Sequence, residues 1–279
     1  MTARVRALLF GLSLSLSAPS LAHADDAERH YQIALSHKKA GKKEDAEREC
    51  RMAIKLRPDH AAAYYTLATL ERATSRFEDA LASFRKVREL EPSSAIGWAG
   101  EGAVLLRLAR YPEAAEALRQ AVARDANDMA SLANLGAALR KQGKHDEAIT
   151  YYRRALEKRP DDIGLLNNLS VALSHQGKTD EAVRVIEQAL AKRPGHVGLH
   201  ANLAKALRAQ ERYAQAIPHF EKALAAKPGD AGAWFDLGFC YQQTKQNEKA
   251  IVAYKRHLAL SDGTGADSVR ERIRGLGSQ

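Results

Sequence analysis

Cysteine is scarce in this chain, and so are the motifs that usually carry chemistry. Cys50 and Cys240 are the two cysteines among 279 residues, which leaves either thiol without a neighbouring redox partner in the sequence. No P-loop or dinucleotide-type glycine motif stands in a fitting context, and no Ser-His-Asp set is evident, which argues against nucleotide-dependent and acyl-transfer chemistry. His196 and His200 have a four-residue spacing able to hold a metal, but neither this pair nor His30 and His37 has an evident third ligand. These histidines are expected to be exposed and metal-free, with no cofactor. Past the N-terminus no apolar run approaches membrane-spanning length, so no stable membrane anchor is expected in the mature chain. No platform of basic and aromatic residues marks a nucleic-acid binder. An enzyme is not expected.

What the chain has instead is a period. Ala46, Ala80, Ala114, Ala148, Ala182, Ala216 and Ala250 follow one another at intervals of 34 residues. Other columns keep the same phase: a large one (Cys50, Phe84, Leu118, Tyr152, Ile186, Phe220, Tyr254) and a small one (Ala34, Ala68, Gly102, Gly136, Ser170, Ala204, Gly238). A leucine column is broken at Glu101, and a proline column (Pro58, Pro92, Pro160, Pro194, Pro228) is broken at Ala126 and Asp262. A fixed period of this length marks stacked repeats, each contacting its neighbours, not a globule around one core. Within a unit, apolar residues recur at helical steps, as in Leu132, Leu135, Gly136 and Leu139. Gly41, Gly143 and Gly177 are placed to stop a first helix in the left-handed conformation. Pro112 is placed to start a second helix, and the prolines at unit ends stop it. The predicted unit is therefore a pair of helices.

These columns resemble the tetratricopeptide repeat (TPR) family, over nearly all of the chain. The resemblance implies an all-α fold, a right-handed superhelical solenoid in which first helices line a concave groove and second helices face outward. Seven units are expected at 27–60, 61–94, 95–128, 129–162, 163–196, 197–230 and 231–264. A C-terminal helix over 265–279 is expected to cap the last unit with Val269, Ile273 and Leu276, since the end of a stack otherwise exposes an apolar face. Ser268 and Glu271 there have capping-box spacing, as do Asp25 and Glu28 at the front of the first helix. Distant units of such a stack do not bring Cys50 and Cys240 within the roughly 7 Å between Cα atoms that a disulfide requires.

Residues 1–24 read as a secretory signal peptide: Arg4 and Arg6, an apolar run from Ala7 to Leu16, and an A-x-A site at Ala22-His23-Ala24. Cleavage near Ala24 implies a periplasmic or secreted protein. It would remove two arginines and no acids, so the formal charge would fall from +9 to +7.

The functional clue is a second column, Asn134, Asn168 and Asn202, followed by Asp236. Asparagine is a poor residue for a helix interior, but its amide both donates and accepts. On the groove side implied by the resemblance, a row of amides would hold the backbone of an extended peptide. The other reading is that each amide bonds within its helix or to a neighbouring unit. Ala99, Ala103, Ala133, Ala137 and Ala201 leave room beside the column. Phe235 and Phe239 are one turn apart and would form an apolar pocket, unless the terminal helix or a second subunit covers them. Lys38, Lys39, Arg72, Arg107, Arg140, Lys141 and Arg208 follow the ends of the first helices, where cations complement the helix dipole. Arg140 and Arg208 would also bias the groove toward acidic segments. The expected function is a non-catalytic scaffold of the cell envelope that binds an extended segment of another protein. The alternative is an assembly subunit or homo-oligomer of an envelope secretion, polysaccharide-export or pilus machine, acting through its convex face or ends.

Overall fold

The computed structural model describes residues 21–263 and 265–277, and every regular element among them is a helix. Two units are distinguished, Met1–Pro92 and Ser93–Gln279. The first contains α1 (Leu21–Lys39), α2 (Lys43–Leu56), α3 (Ala61–Ala73) and α4 (Phe77–Leu90). The second contains α5 (Ala95–Arg107), α6 (Tyr111–Arg124), α7 (Met129–Lys141), α8 (His145–Lys158), α9 (Ile163–His175) and α10 (Thr179–Lys192). It continues with α11 (Val197–Ala209), α12 (Tyr213–Ala226), α13 (Ala231–Gln243), α14 (Asn247–Leu260) and α15 (Ala266–Gly277). Consecutive helices pair, α1 with α2 through α13 with α14. Residues 1–20 of the expected signal peptide lie outside the described residues. The backbone of Ala22-His23-Ala24 already belongs to α1.

The turn inside each pair is the same throughout. Gly41, Gly143 and Gly177 take positive φ of 74°, 77° and 76°. The equivalent Ser75, Ala109, Glu211 and Lys245 do so too, at 57–61°. In each case the following residue's N–H reaches back to the end of the first helix, as Lys144 does to the Leu139 carbonyl at 2.9 Å and Arg110 to Leu105 at 2.9 Å. This hydrogen-bond pattern closes a helix on a left-handed residue. The sequence marks it with glycine in three units only; in the other four the flanking helices impose it on a side chain that resists it. Second helices are favoured by charge placement, with Asp180 and Glu181 in the first turn of α10 and Lys192 in its last. Pro112 stands in the first turn of α6, and Arg57, Arg159, Arg193 and Lys227 cap helices immediately ahead of the expected prolines.

The small and large columns meet. A Cβ added to Gly136 would stand 2.7 Å from Tyr152 Cε1, and one added to Gly238 would stand 2.8 Å from Tyr254 Cδ1. Both tyrosines are fully buried, as are Phe84, Leu118, Ile186 and Phe220 in the same column. Paired helices thus touch through a missing side chain on one and a ring on the other. Ala148 and Ala182 are fully buried as well.

Within the second unit each second helix packs on the next first helix, and successive first helices α5, α7, α9, α11 and α13 also touch. First helices therefore lie on the tighter, inner side. Polar links repeat with the period: Gln176 Nε2–H donates to Asp146 at 2.5 Å and Gln210 Nε2–H to Asp180 at 2.6 Å. Arg119 pairs with Glu147 at 3.1 Å and Arg153 with Glu181 at 2.6 Å. As exposed ion pairs they set register more than stability, each contributing about 0–1 kcal/mol. α15 buries Val269 and Leu276 against the last pair, with Ile273 partly covered beside them. The capping-box expectations do not hold. α15 starts at Ala266, after Gly263 and Gly265 at positive φ, and Ser268 Oγ–H donates to the Gly265 carbonyl. Asp25 lies inside α1, because the helix begins earlier than the spacing implied.

The histidines also differ from expectation. His196 caps α11, its Nδ1 accepting from the Leu199 N–H at 3.2 Å. His200 is buried rather than exposed. Its Nε2 lies 2.8 Å from the Pro194 carbonyl and its Nδ1 lies 2.8 Å from His219 Nδ1. The carbonyl can only accept, so His200 donates from Nε2, and one proton bridges the two Nδ1 atoms. Burial first, then His200, lowers the His219 pKa, and burial and then Arg57 lower that of His60.

Two outcomes follow from the packing. Gly136→Ala should destabilise by about 1–3 kcal/mol through overpacking against Tyr152, and a large residue at Ala148 or Ala182 should cost as much; denaturant titration followed by circular dichroism measures this. Ala109→Gly or Glu211→Gly should stabilise by about 0.5–1 kcal/mol, the left-handed penalty less the entropy cost of glycine, whereas Gly143→Ala should do the opposite. A third outcome concerns pH. Unfolded histidine takes up its proton near pH 6.5, and folded His219 and His60 do so only lower. Between those values the unfolded chain binds more protons, so unfolding free energy should fall as pH drops below about 6.5 and level off beneath the folded pKa. Urea midpoints across that range measure the slope, which His219→Val should reduce.

Candidate functional site

The asparagine column lies on the first helices of the second unit, each residue one position before a buried core leucine. Asn134 precedes Leu135 on α7, Asn168 precedes Leu169 on α9, and Asn202 precedes Leu203 on α11. With the leucine turned into the core, its neighbour stands at the helix flank, and all three asparagines are half-buried. The side-chain amides of Asn134 and Asn168 have no hydrogen-bond partner among the described residues. Asn202 Nδ2–H donates to Asn167 Oδ1 at 2.8 Å, a bond from one unit to the preceding one. Each alternative reading of the column therefore describes part of it.

Two cavities flank α9. One of about 700 Å³ opens between the N-terminal halves of α7 and α9 and is bordered by Asn168, Ala133 and Met129. Its rim carries Asp125, Asp128 and Asp162 together with Arg159. Asp128 caps α7 through the Ala130 and Ser131 N–H groups, and Asp162 caps α9 through Leu165. The other, about 390 Å³, lies between the C-terminal halves of α9 and α11 and is bordered by Asn202, Val171, Ser174 and Ala206. Asn168 and Asn202 thus each open onto a space between successive first helices.

The remaining sequence candidates form other groupings. Asp236, the fourth position of the column, pairs with Arg208 Nε at 3.2 Å; burial pushes the Asp236 carboxyl up, and Arg208 pulls it down. The Arg208 guanidinium also lies 5.9 Å from the Phe239 ring centroid, and that ring meets Tyr213 edge-on at 5.7 Å. Phe235 lies instead against α14, 5.6 Å from Tyr254 and 5.3 Å from His257. The two phenylalanines therefore sit in separate surroundings and do not share a pocket. Arg140 is half-buried beside the Tyr152 phenol, which burial pushes up and Arg140 pulls down. Lys38 donates to Thr69 at 3.0 Å, and Arg72 lies 6.0 Å from the Phe84 ring. Several cations of the stripe thus already have company inside the protein. Asn167 is the residue that the sequence reading missed; it falls outside the column and meets Asn202 only through the stacking of α9 on α11.

Cys50 and Cys240 are fully buried free thiols, and burial pushes each up to about 12. At neutral pH neither supplies a thiolate. Among the described residues no group of three or more His, Cys, Asp or Glu could hold a metal ion, and no helix is long and apolar enough to cross a membrane.

Comparisons with known proteins agree with this architecture. No curated protein matches the sequence. Of solved structures, YrrB, described as a TPR protein with an unusual peptide-binding site, is 26% identical, with 66% of this chain and 95% of that one covered at a TM-score of 0.58. MamA is 23% identical over 61% of this chain and 93% of its own, at 0.58. A tetratricopeptide repeat protein from Parabacteroides merdae ATCC 43184 is 15% identical over 91% of this chain and 100% of its own, at 0.65. Sequence models of the tetratricopeptide repeat match residues 31–95 and 167–231, 128–195, and 207–264, and none of them indicates an enzyme family. Helix pairs, period and matching models agree: the chain belongs to the tetratricopeptide repeat family.

Proposed function

We propose that this protein is a non-catalytic scaffold that holds an extended segment of another protein along the inner side of its second unit. The observation carrying this reading is the pair of half-buried amides, Asn134 and Asn168, that lack a protein partner while Asn168 borders an open cavity of about 700 Å³. A half-buried amide without a partner is satisfied by water or by a guest. An extended backbone offers both N–H and C=O groups to such amides, whatever its side chains. Asn202 joins the row with its carbonyl oxygen, its N–H being given to Asn167. The description of YrrB as a peptide-binding TPR protein, at 26% identity, supports the same reading.

Selectivity for acidic guests fits the geometry less well. Arg208 is neutralised by Asp236, Arg140 is turned to Tyr152, and the rim near Asn168 carries three aspartates. The proposed grip is therefore on backbone, with Asp236, Arg208 and Phe239 closing the far end of the row. We place this activity in the cell envelope on the strength of Arg4, Arg6, the apolar run and the A-x-A site at the N-terminus. The alternative, an assembly subunit acting through its outer face or ends, would show as a stable homo-oligomer that buries the inner wall.

Replacing Asn134, Asn168 and Asn202 together by Ala should leave helicity unchanged, with thermal stability unchanged or slightly raised. It should weaken capture of partner proteins, crosslinked from inner-wall positions in cells, by about tenfold or more. Undiminished capture by a folded triple variant would sink the proposal.

A further inference from the structure

The last repeat holds a cavity of about 610 Å³ on its second-helix side, away from the asparagine column. Its walls are Leu224 and Pro228 from α12 and the turn after it, Trp234 and Leu237 from α13, and Val252 and Ala253 from α14. The preceding repeat shows how the space arises. Trp234 Nε1–H donates to the Pro228 carbonyl at 2.8 Å; His200, 34 residues earlier, makes the equivalent bond to Pro194 at 2.8 Å. There, His219 stacks on His200, with ring centroids 5.1 Å apart, and occupies the ground between the helices. The residue 34 positions after His219 is Ala253, so the tryptophan has only a methyl beneath it. The first repeat is also filled at this place, by Glu49 bonded to His30 at 2.6 Å. Part of the rim is apolar too. Val252 is 59% exposed, in a column that reads Arg48, Ala82, Glu116, Thr150, Arg184 and Pro218 in the repeats before it. The third repeat also has a tryptophan and an alanine at these two positions, Trp98 and Ala117, but there the Arg124 guanidinium lies over the ring at 4.8 Å. In the last repeat the polar filler is gone and the tryptophan-walled, apolar pocket is open.

The geometry points to a docking site for an apolar side-chain anchor carried on a cationic segment of another protein. Charge selects that occupant. Glu221 and Glu248 border the pocket, and the cation there, Lys249, is drawn over the Tyr241 ring at 5.5 Å. Glu221 accepts the Tyr241 hydroxyl at 2.5 Å, while Glu248 stands exposed. A guest with lysine or arginine beside its apolar anchor meets these carboxylates, and an acidic guest is repelled. An aromatic wall with an apolar floor and a charged rim is the composition of an interface anchor point.

Trp98 and Trp234 are the two tryptophans, so Trp98→Phe in the full chain makes Trp234 fluorescence a local reporter. The probe is a blocked seven-residue peptide with one central leucine flanked by lysines. It should give a saturable fluorescence change. Val252→Arg, at an exposed position safe for folding, should weaken it by about tenfold, the size of a lost interface anchor, and Ala253→His, which copies the preceding repeat, should act likewise. The asparagine triple variant should bind the probe unchanged, which separates this site from the inner wall. Absence of saturation, equal binding of a glutamate-flanked peptide or of one with alanine in place of leucine, or full binding by folded Val252→Arg would overturn the proposal. So would sedimentation showing a dimer that Val252→Arg dissociates, since the occupant would then be a second copy of the chain.

Discussion

A tyrosine ring pressed onto a glycine in the facing helix is the contact on which the rest of the structure depends. At Gly136 and Tyr152, and again at Gly238 and Tyr254, the absent side chain is the condition for the helices to sit as close as they do. Elsewhere the two columns trade volume: phenylalanine accompanies alanine at Phe84 and Ala68, and again at Phe220 and Ala204. Because interiors are packed to crystalline density, the sum of the two side chains sets the distance between paired helices. Setting a small residue against a larger one every 34 residues makes the pairs alike enough to stack on one another.

The turn inside each pair is the second constraint, and it shows local preference yielding to tertiary demand. Glycine relaxes the left-handed residue in three units, but Ser75, Ala109, Glu211 and Lys245 adopt it at positive φ all the same. The helices on either side are held by burial of their apolar faces, worth more than the roughly 1–2 kcal/mol that the conformation costs. Every first helix therefore ends at the same point, and a residue at a fixed offset within it reappears at the same place on the inner side. The asparagine column is a consequence of that regularity.

Function follows from where the repeats stop being alike. The first helices keep amides in step, while Arg208 is paired with Asp236 and Arg140 lies beside the Tyr152 phenol. The proposed grip on a guest backbone rests on that arrangement. On the other side, a filler that is His219 in one repeat becomes Ala253 in the next, and a pocket appears under Trp234. Repetition supplies the frame, and single departures from it supply the specific surfaces.

The helix pairs and the stops marked by Gly41, Gly143 and Gly177 were open to reading from the sequence because they rest on local periodicity and on residues with strong backbone preferences, as do Pro112 and the alanines of the small columns; the stops at Ser75, Ala109, Glu211 and Lys245 were not. The position of the asparagine column on its helices was likewise given by its offset from Leu135, Leu169 and Leu203. What each side chain does there was decided by tertiary structure. Asn202 reaches Asn167, Arg208 meets Asp236, Phe235 and Phe239 part company, and His200 is buried against His219. The Asn202–Asn167 and Arg208–Asp236 contacts join helices from different pairs, and the His200–His219 contact joins the two helices of one pair; the geometry of each depends on how those helices pack. A period in the sequence specifies that stacking occurs; the orientation of each polar group within it is settled only by the shapes of the neighbours it meets.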